Sequence, residues 1–351
     1  MFMSLQACRA LAATFVLLFH VGGTIALQKY SGVAIASVPF SFGHAGVDLF
    51  FVLSGFIICW AHLRDVGRPS AIWRYLAKRV VRIYPLYFVM FGAVYGAALL
   101  IPSLAKSVPD DWLVVFKGLF LIPQGVNEAG ATGAPVLIVA WSLQYEMLFY
   151  LVFALFILSR GIGSIAVLSL LCVYLLCDES SGLPWSFVTR ESWLWQFAMG
   201  VLVANVVSTA RTATCWAILA GASGAVGYSL VAISEVLAPT AIWGIDRHLL
   251  YGATSALIVF GVVQLEREGR VVGSTRFIQL LGDSSYALYL THFPVVSAAC
   301  KVLKAMGCLE TGGSVVASFV LIAGLGLGFA VAVHRWIEVP LLRWGNNVIL
   351  R

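Results

Sequence analysis

The chain has 351 residues, 61% of them hydrophobic and only 11% charged, with a net charge of +6. Soluble domains carry about a quarter charged residues, so this composition, with a mean hydropathy of +0.95, excludes an ordinary soluble core and points to a polytopic membrane protein. The positive excess forms no basic block interleaved with aromatics, which argues against a nucleic-acid partner. The seven cysteines make no CxxC pair and lie mostly in apolar runs, so neither a disulfide framework nor a metal site is expected.

A membrane span needs about 20 apolar residues. Ten segments meet that measure: 5–27, 44–62, 83–101, 138–158, 162–177, 193–209, 214–233, 249–264, 278–299 and 313–336. The expected fold is all-α, with about ten transmembrane helices in one integral-membrane domain over residues 1–351. The first segment differs from a secretory signal: its basic region is one arginine, His20 interrupts the apolar core, and no small-x-small cleavage site follows. With the N-terminus in the cytoplasm, 15 of the 22 lysines and arginines fall on the inner side. The positive-inside rule then puts both termini in the cytoplasm. The longest outer connection, 102–137, contains "DDWLVVFKGLFLIPQG" and is expected to form an interfacial or re-entrant helix.

Ionisable groups inside a span cost at least ~2.5 kcal/mol each at its centre, so those present face the bundle interior and mark function. In "RALAATFVLLFH", Arg9 and His20 lie three helical turns and ~16 Å apart on one face. This puts a cation at the cytoplasmic rim and an imidazole near mid-membrane. A snorkelling arginine and a buried structural histidine are the simpler reading of the pair taken alone. In "HAGVDLFFVLSGFIICW", Asp48 stands one turn from His44 and is expected to pair with it, structurally or in catalysis. Ser54 and Gly55 allow close helix approach.

In "RYLAKRVVRIYPLY", Arg79 and Arg82 share a face and border the third span. Their guanidinium forks suit a polyphosphate anion, whereas Arg64 and Arg68 need no role beyond setting topology. In "WSLQYEMLFY", Glu146 lies inside the helix with Ser142 one turn before it. In "LGDSSYALYLTH", Ser285, Tyr289 and His292 form one polar stripe, with His292 roughly 15 Å from the start of its span. "HRWIEVPLLRW" places Glu338 and Pro340 at the cytoplasmic end of the last span.

Together, "R-x10-H", "GVDLFFVLSGFI", "KRVVRIYP", "WSLQYE", "LGDSSYALYLTH" and "IEVPL", in that order over nearly the whole chain, resemble the membrane-bound acyltransferase-3 family. The resemblance implies a ten-span bacterial inner-membrane O-acyltransferase that acetylates exopolysaccharide, O-antigen, Nod factors or similar sugars. It marks Arg9, His20, Arg79, Arg82 and Glu338 as essential. It also marks Asp48, Ser54, Trp141, Glu146, Tyr286 and His292 as motif positions. Lys78 stands where many relatives have arginine, which makes it a weaker candidate. Some relatives carry a fused periplasmic esterase-like domain; none is expected here, so the acyl relay should be completed within the bundle.

The expected reaction moves an acetyl or similar short acyl group from cytoplasmic acetyl-CoA, a donor substrate, to a hydroxyl of a polysaccharide or lipid-linked sugar. No metal or prosthetic group is expected, and the lipid bilayer is the surrounding partner. His20, Asp48, His292 and Glu338 are the expected catalytic groups. Arg9, Arg79 and Arg82 are expected to bind the donor, and Ser54, Trp141, Glu146 and Tyr286 the acceptor. His20 is read first as general base toward the acceptor hydroxyl, with transient acylation of its imidazole as the alternative. A proton-coupled transporter or a flippase would also bury His, Asp and Glu. Neither gives a role to the basic cluster at one rim, and no inverted repeat is apparent.

Overall fold

The computed structural model describes residues 2–101, 108–125, 132–177, 187–188, 193–238 and 246–349, and among these residues it is helical with no strand. Contacts divide the chain into two compact units: Met1–Ala61 with Trp195–His334, and His62–Leu194 with Arg335–Arg351. Among the described residues, eight helical segments are long and apolar enough to cross a membrane. Two further apolar helices of 17 residues each, Arg160–Leu176 and Trp193–Thr209, stand where the fifth and sixth spans are expected. Outward-facing residues such as Leu100, Leu176, Leu237, Val320 and Phe329 are exposed, the surface that lipid rather than water would cover.

The first unit is built around α1 (Met3–Ile25), whose Leu5, Ala12, Ala13, Leu17, Val21 and Ile25 are fully buried. It also holds α2 (Gly46–His62, up to Ala61), most of α7 (Trp193–Thr209), α8 (Thr214–Leu237), α9 (Arg247–Arg267), α10 (Arg276–Asp283), α11 (Ser285–Ala305) and α12 (Gly312–Val333). Leu17, Val21 and Ile25 of α1 join Leu288, Val296 and Cys300 of α11 and Val315 and Ile322 of α12 in one apolar cluster. Helices α2 and α7 cross at glycines: a Cβ on Gly55 would lie 2.3 Å from the Phe197 carbonyl oxygen, and one on Gly200 2.1 Å from that of Val52. Only hydrogen fits there, as the Ser54-Gly55 step implies.

The second unit holds α3 (Ile72–Leu100), α4 (Trp112–Leu119), α5 (Trp141–Leu158), α6 (Arg160–Leu176) and, after a π-helical turn over His334–Glu338, α13 (Val339–Ile349). Tyr75 of α3 donates to the Tyr150 carbonyl of α5 at 3.1 Å, and Tyr87 to the Gly118 carbonyl of α4 at 2.6 Å. Helix α4, within the segment expected to be interfacial or re-entrant, starts at an Asp111 cap that accepts from the Leu113 N–H at 2.8 Å.

Three element boundaries differ from the expected ones. The third span is part of a longer helix: α3 has 29 residues with Pro85 inside it. At 1.5 Å per residue it is about 43 Å long, more than a hydrocarbon core requires. Arg79 and Arg82 therefore share one continuous helix with the span rather than a separate stretch before it. The ninth segment is two helices, α10 and α11, meeting at Ser284. His292 thus lies seven residues, about 10 Å, into its helix rather than roughly 15 Å. The last segment widens into the π turn because Pro340 has no N–H for the Trp336 carbonyl.

Candidate active site

Among the described residues of the first unit, histidines come together in two clusters. The first joins α1 to α11. The rings of His20 and His292 stand 5.0 Å apart, centroid to centroid, at 41°, and Phe19 and Phe293 present their edges to His20. Pro294 gives α11 no N–H for the Leu290 carbonyl, which loosens the helix beside His292. His292 is buried, and its Nδ1 donates to the Leu288 carbonyl at 3.0 Å. That bond fixes the proton on Nδ1 and leaves Nε2 with a lone pair, buried and without a partner among the described residues. His20 makes no hydrogen bond among them either. Two imidazoles with free acceptor capacity side by side can serve proton or acyl transfer.

Arg9 and His20 share the unbroken α1, as their spacing implies. Arg9 is held by Gln6, whose side-chain amide donates in turn to Asp283 at the end of α10 at 2.6 Å. Tyr286 and Tyr289 are buried on α11, and Tyr289 lies 5.8 Å from the His292 ring. Ser54 stands in α2 beside the Gly55 crossing.

The second cluster corrects the expected His44–Asp48 pair. His44 lies in a 3-10 segment, Val38–Ala45, opened by Pro39, so four residues do not span one α-turn there. Partners come instead from α7, α8 and α9. His44 Nε2 meets Glu235 Oε1 at 2.7 Å, and Glu235 also accepts from Tyr251 at 2.9 Å and Arg247 at 3.3 Å. Asp48, fully buried, binds His248 Nδ1 at 2.9 Å and the side-chain amide of Gln196. Glu235, His248, Tyr251 and Gln196 were not singled out from the sequence. An acid near the end of apolar α8 was the one readable signal, and it resembles a rim charge.

The second unit brings four of the expected residues together in two pairs. The Arg79 guanidinium lies over the rings of both Tyr75 and Tyr150, 5.7 and 5.5 Å from their centroids. Tyr150 donates to Glu146 at 2.5 Å, so Glu146 holds one wall of this stack. Among the described residues Arg79 has no hydrogen bond or ion pair, and its Nε is buried. Arg82 differs: its guanidinium donates to Glu338 at 2.5 Å, and that carboxylate is 1% exposed. Trp141 opens α5 and packs 4.9 Å from the Trp193 ring. Among the described residues no group of three or more His, Cys, Asp or Glu is placed to hold a metal.

An acyltransferase-domain family profile matches residues 3–335. "Exopolysaccharide production protein ExoZ" of Rhizobium meliloti is 31% identical over 320 residues, spanning 88% of this chain and 92% of that protein. "Acyltransferase MdmB" of Streptomyces mycarofaciens is 24% identical, spanning 97% and 91%. "Peptidoglycan O-acetyltransferase OatA" of Listeria monocytogenes is 21% identical over 86% of this chain and 50% of its own length. No solved structure matches. A match over nearly all of the chain sets the carrier and flippase readings aside. This chain belongs to the acyltransferase-3 family and is a membrane-embedded acyltransferase.

Proposed function

We propose that this enzyme moves an acetyl or similar short acyl group from cytoplasmic acyl-CoA to a hydroxyl of a surface glycan such as exopolysaccharide or O-antigen. In this reading the chain is one acyltransferase domain of ten spans in the bacterial inner membrane, with both termini cytoplasmic. The two 17-residue helices supply the fifth and sixth spans.

The observation that carries the donor assignment is Arg79. Its charge is stacked between two tyrosines and has no anionic partner among the described residues, which suits an incoming phosphate. Arg82 is already neutralised by Glu338, so this pair braces the clamp and Glu338 is a positioning residue. Glu146, through Tyr150, belongs to the clamp as well. Arg9 adds a second cation for the donor. The acyl chemistry falls to His20 and His292. Trp141, Tyr286 and Ser54 remain the proposed acceptor contacts. The glycan acceptor is supported by the similarity to ExoZ, whose name states exopolysaccharide production.

Purified protein in liposomes, given radiolabelled acetyl-CoA and polysaccharide from a strain lacking the enzyme, should label the polysaccharide. Arg79→Ala should raise the donor concentration needed. Absence of labelling together with absence of acetyl-CoA binding would overturn the reading.

A further inference from the structure

Among the described residues of the first unit, two carboxylate–imidazole pairs lie outside the His20–His292 pair. One is sealed: Asp48 is fully buried, and the side chain of its partner His248 is 9% exposed. The other is reachable: the His44 side chain is 21% exposed. Gly43 and Gly46 press the chain on either side of His44 against α1. A Cβ at Gly43 would stand 2.4 Å from the Phe15 carbonyl oxygen, and one at Gly46 2.3 Å from that of Ala12. His44 is thereby held against Phe19, at 5.7 Å, and Phe19 also meets His20, at 5.1 Å.

A carboxylate only accepts, so the Glu235 contact puts the His44 proton on Nε2 and leaves the Nδ1 lone pair free. Glu235 is itself held by Tyr251 and Arg247. This is the base-and-orienter arrangement that activates a hydroxyl. His20 has no such carboxylate among the described residues. From this difference we infer that His44, oriented by Glu235, is the general base for the acceptor hydroxyl, and that His20 carries the acyl group in transit. The inference rests on the acyl-CoA reading above.

The steps balance. The unprotonated nitrogen of His20 attacks the thioester carbonyl and the C–S bond breaks. The CoA thiolate takes the proton shed by the other His20 nitrogen, leaving a neutral acyl-imidazole. The acceptor hydroxyl then gives its proton to His44 Nδ1 while its oxygen attacks the acyl carbon. The C–N bond breaks, and the proton returns from His44 to His20, so both imidazoles end neutral.

The test separates the two half-reactions in the full-length protein in liposomes. Radiolabelled acetyl-CoA is added first, protein-bound label is measured, and polysaccharide from a strain lacking the enzyme is then added as a chase. His44→Gln, whose amide nitrogen falls near the place of Nε2 and can still bond Glu235, should load label as the unaltered protein does and chase it ~10²–10⁴-fold more slowly, as for a lost acid–base group. Glu235→Gln should slow the chase in the same direction, and Glu235→Asp should restore part of it. Normal chase in both His44→Gln and Glu235→Gln would overturn the role, as would equal loss of loading and chase in protein that elutes as a folded species. Failure of the unaltered protein to load label would overturn acyl-His20 itself, and loss of acetyl-CoA binding with it would overturn the donor reading.

Discussion

Arg79→Ala removes a cation whose surroundings separate affinity from folding. The guanidinium lies over two tyrosine rings, at 5.5 and 5.7 Å, and makes no hydrogen bond or ion pair among the described residues. Its loss therefore deprives the fold of two cation–π contacts, ~0.5–1 kcal/mol each when partly exposed, a cost a folded protein survives. Donor binding loses much more. One charge-assisted hydrogen bond to phosphate contributes about 1.5–3 kcal/mol, which is roughly 10- to 150-fold in dissociation constant. Equilibrium binding of radiolabelled acetyl-CoA to purified protein in nanodiscs reads this directly. Arg79→Lys should recover only part of the affinity, because an ammonium lacks the planar fork and the stacking area. Unchanged affinity in Arg79→Ala, in protein that melts normally, would refute the clamp.

Arg82→Ala should instead lower the yield of folded protein, since it takes the guanidinium away from a carboxylate that is 1% exposed, and breaking a buried ion pair costs about 3–5 kcal/mol. Adding Glu338→Gln should recover part of it, and purely additive melting temperatures in that cycle would count against the pairing. Gly46→Val should destabilise the first unit, because its Cβ would meet the Ala12 carbonyl oxygen at 2.3 Å; an unaltered melting temperature would contradict that close approach. Cysteine labelling should place residues 64–78 in the cytoplasm and the 108–125 segment outside. Labelling of 64–78 from the periplasm would separate Arg79 from cytoplasmic CoA.

What could be read from the sequence was what repeats locally. Apolar stretches of span length marked the helices, and the eleven-residue spacing placed Arg9 and His20 on one unbroken α1. The interaction of Arg82 with Glu338, 256 residues away, left no local trace, so both residues were found but not as a pair. The His44–Asp48 expectation failed because it assumed α-helical spacing through a 3-10 segment opened by Pro39. Glu235 stayed hidden because a carboxylate near a helix end looks like a solvated rim charge until α9 brings Tyr251 and Arg247 to it. Tyr75 and Tyr150 read as ordinary aromatic core residues, and only the fold reveals Arg79 between them.

His20 is the residue on which acyl transfer turns, so the most direct measurement compares the unaltered protein with His20→Asn for transfer of labelled acetyl from acetyl-CoA to the glycan. Asparagine keeps a polar side chain on α1 but can neither carry the acyl group nor act as a base. The expected result is an inserted, donor-binding protein whose transfer falls by at least the ~10²–10⁴-fold of a lost acid–base group. Near-normal transfer by His20→Asn would contradict it and move the chemistry to His292.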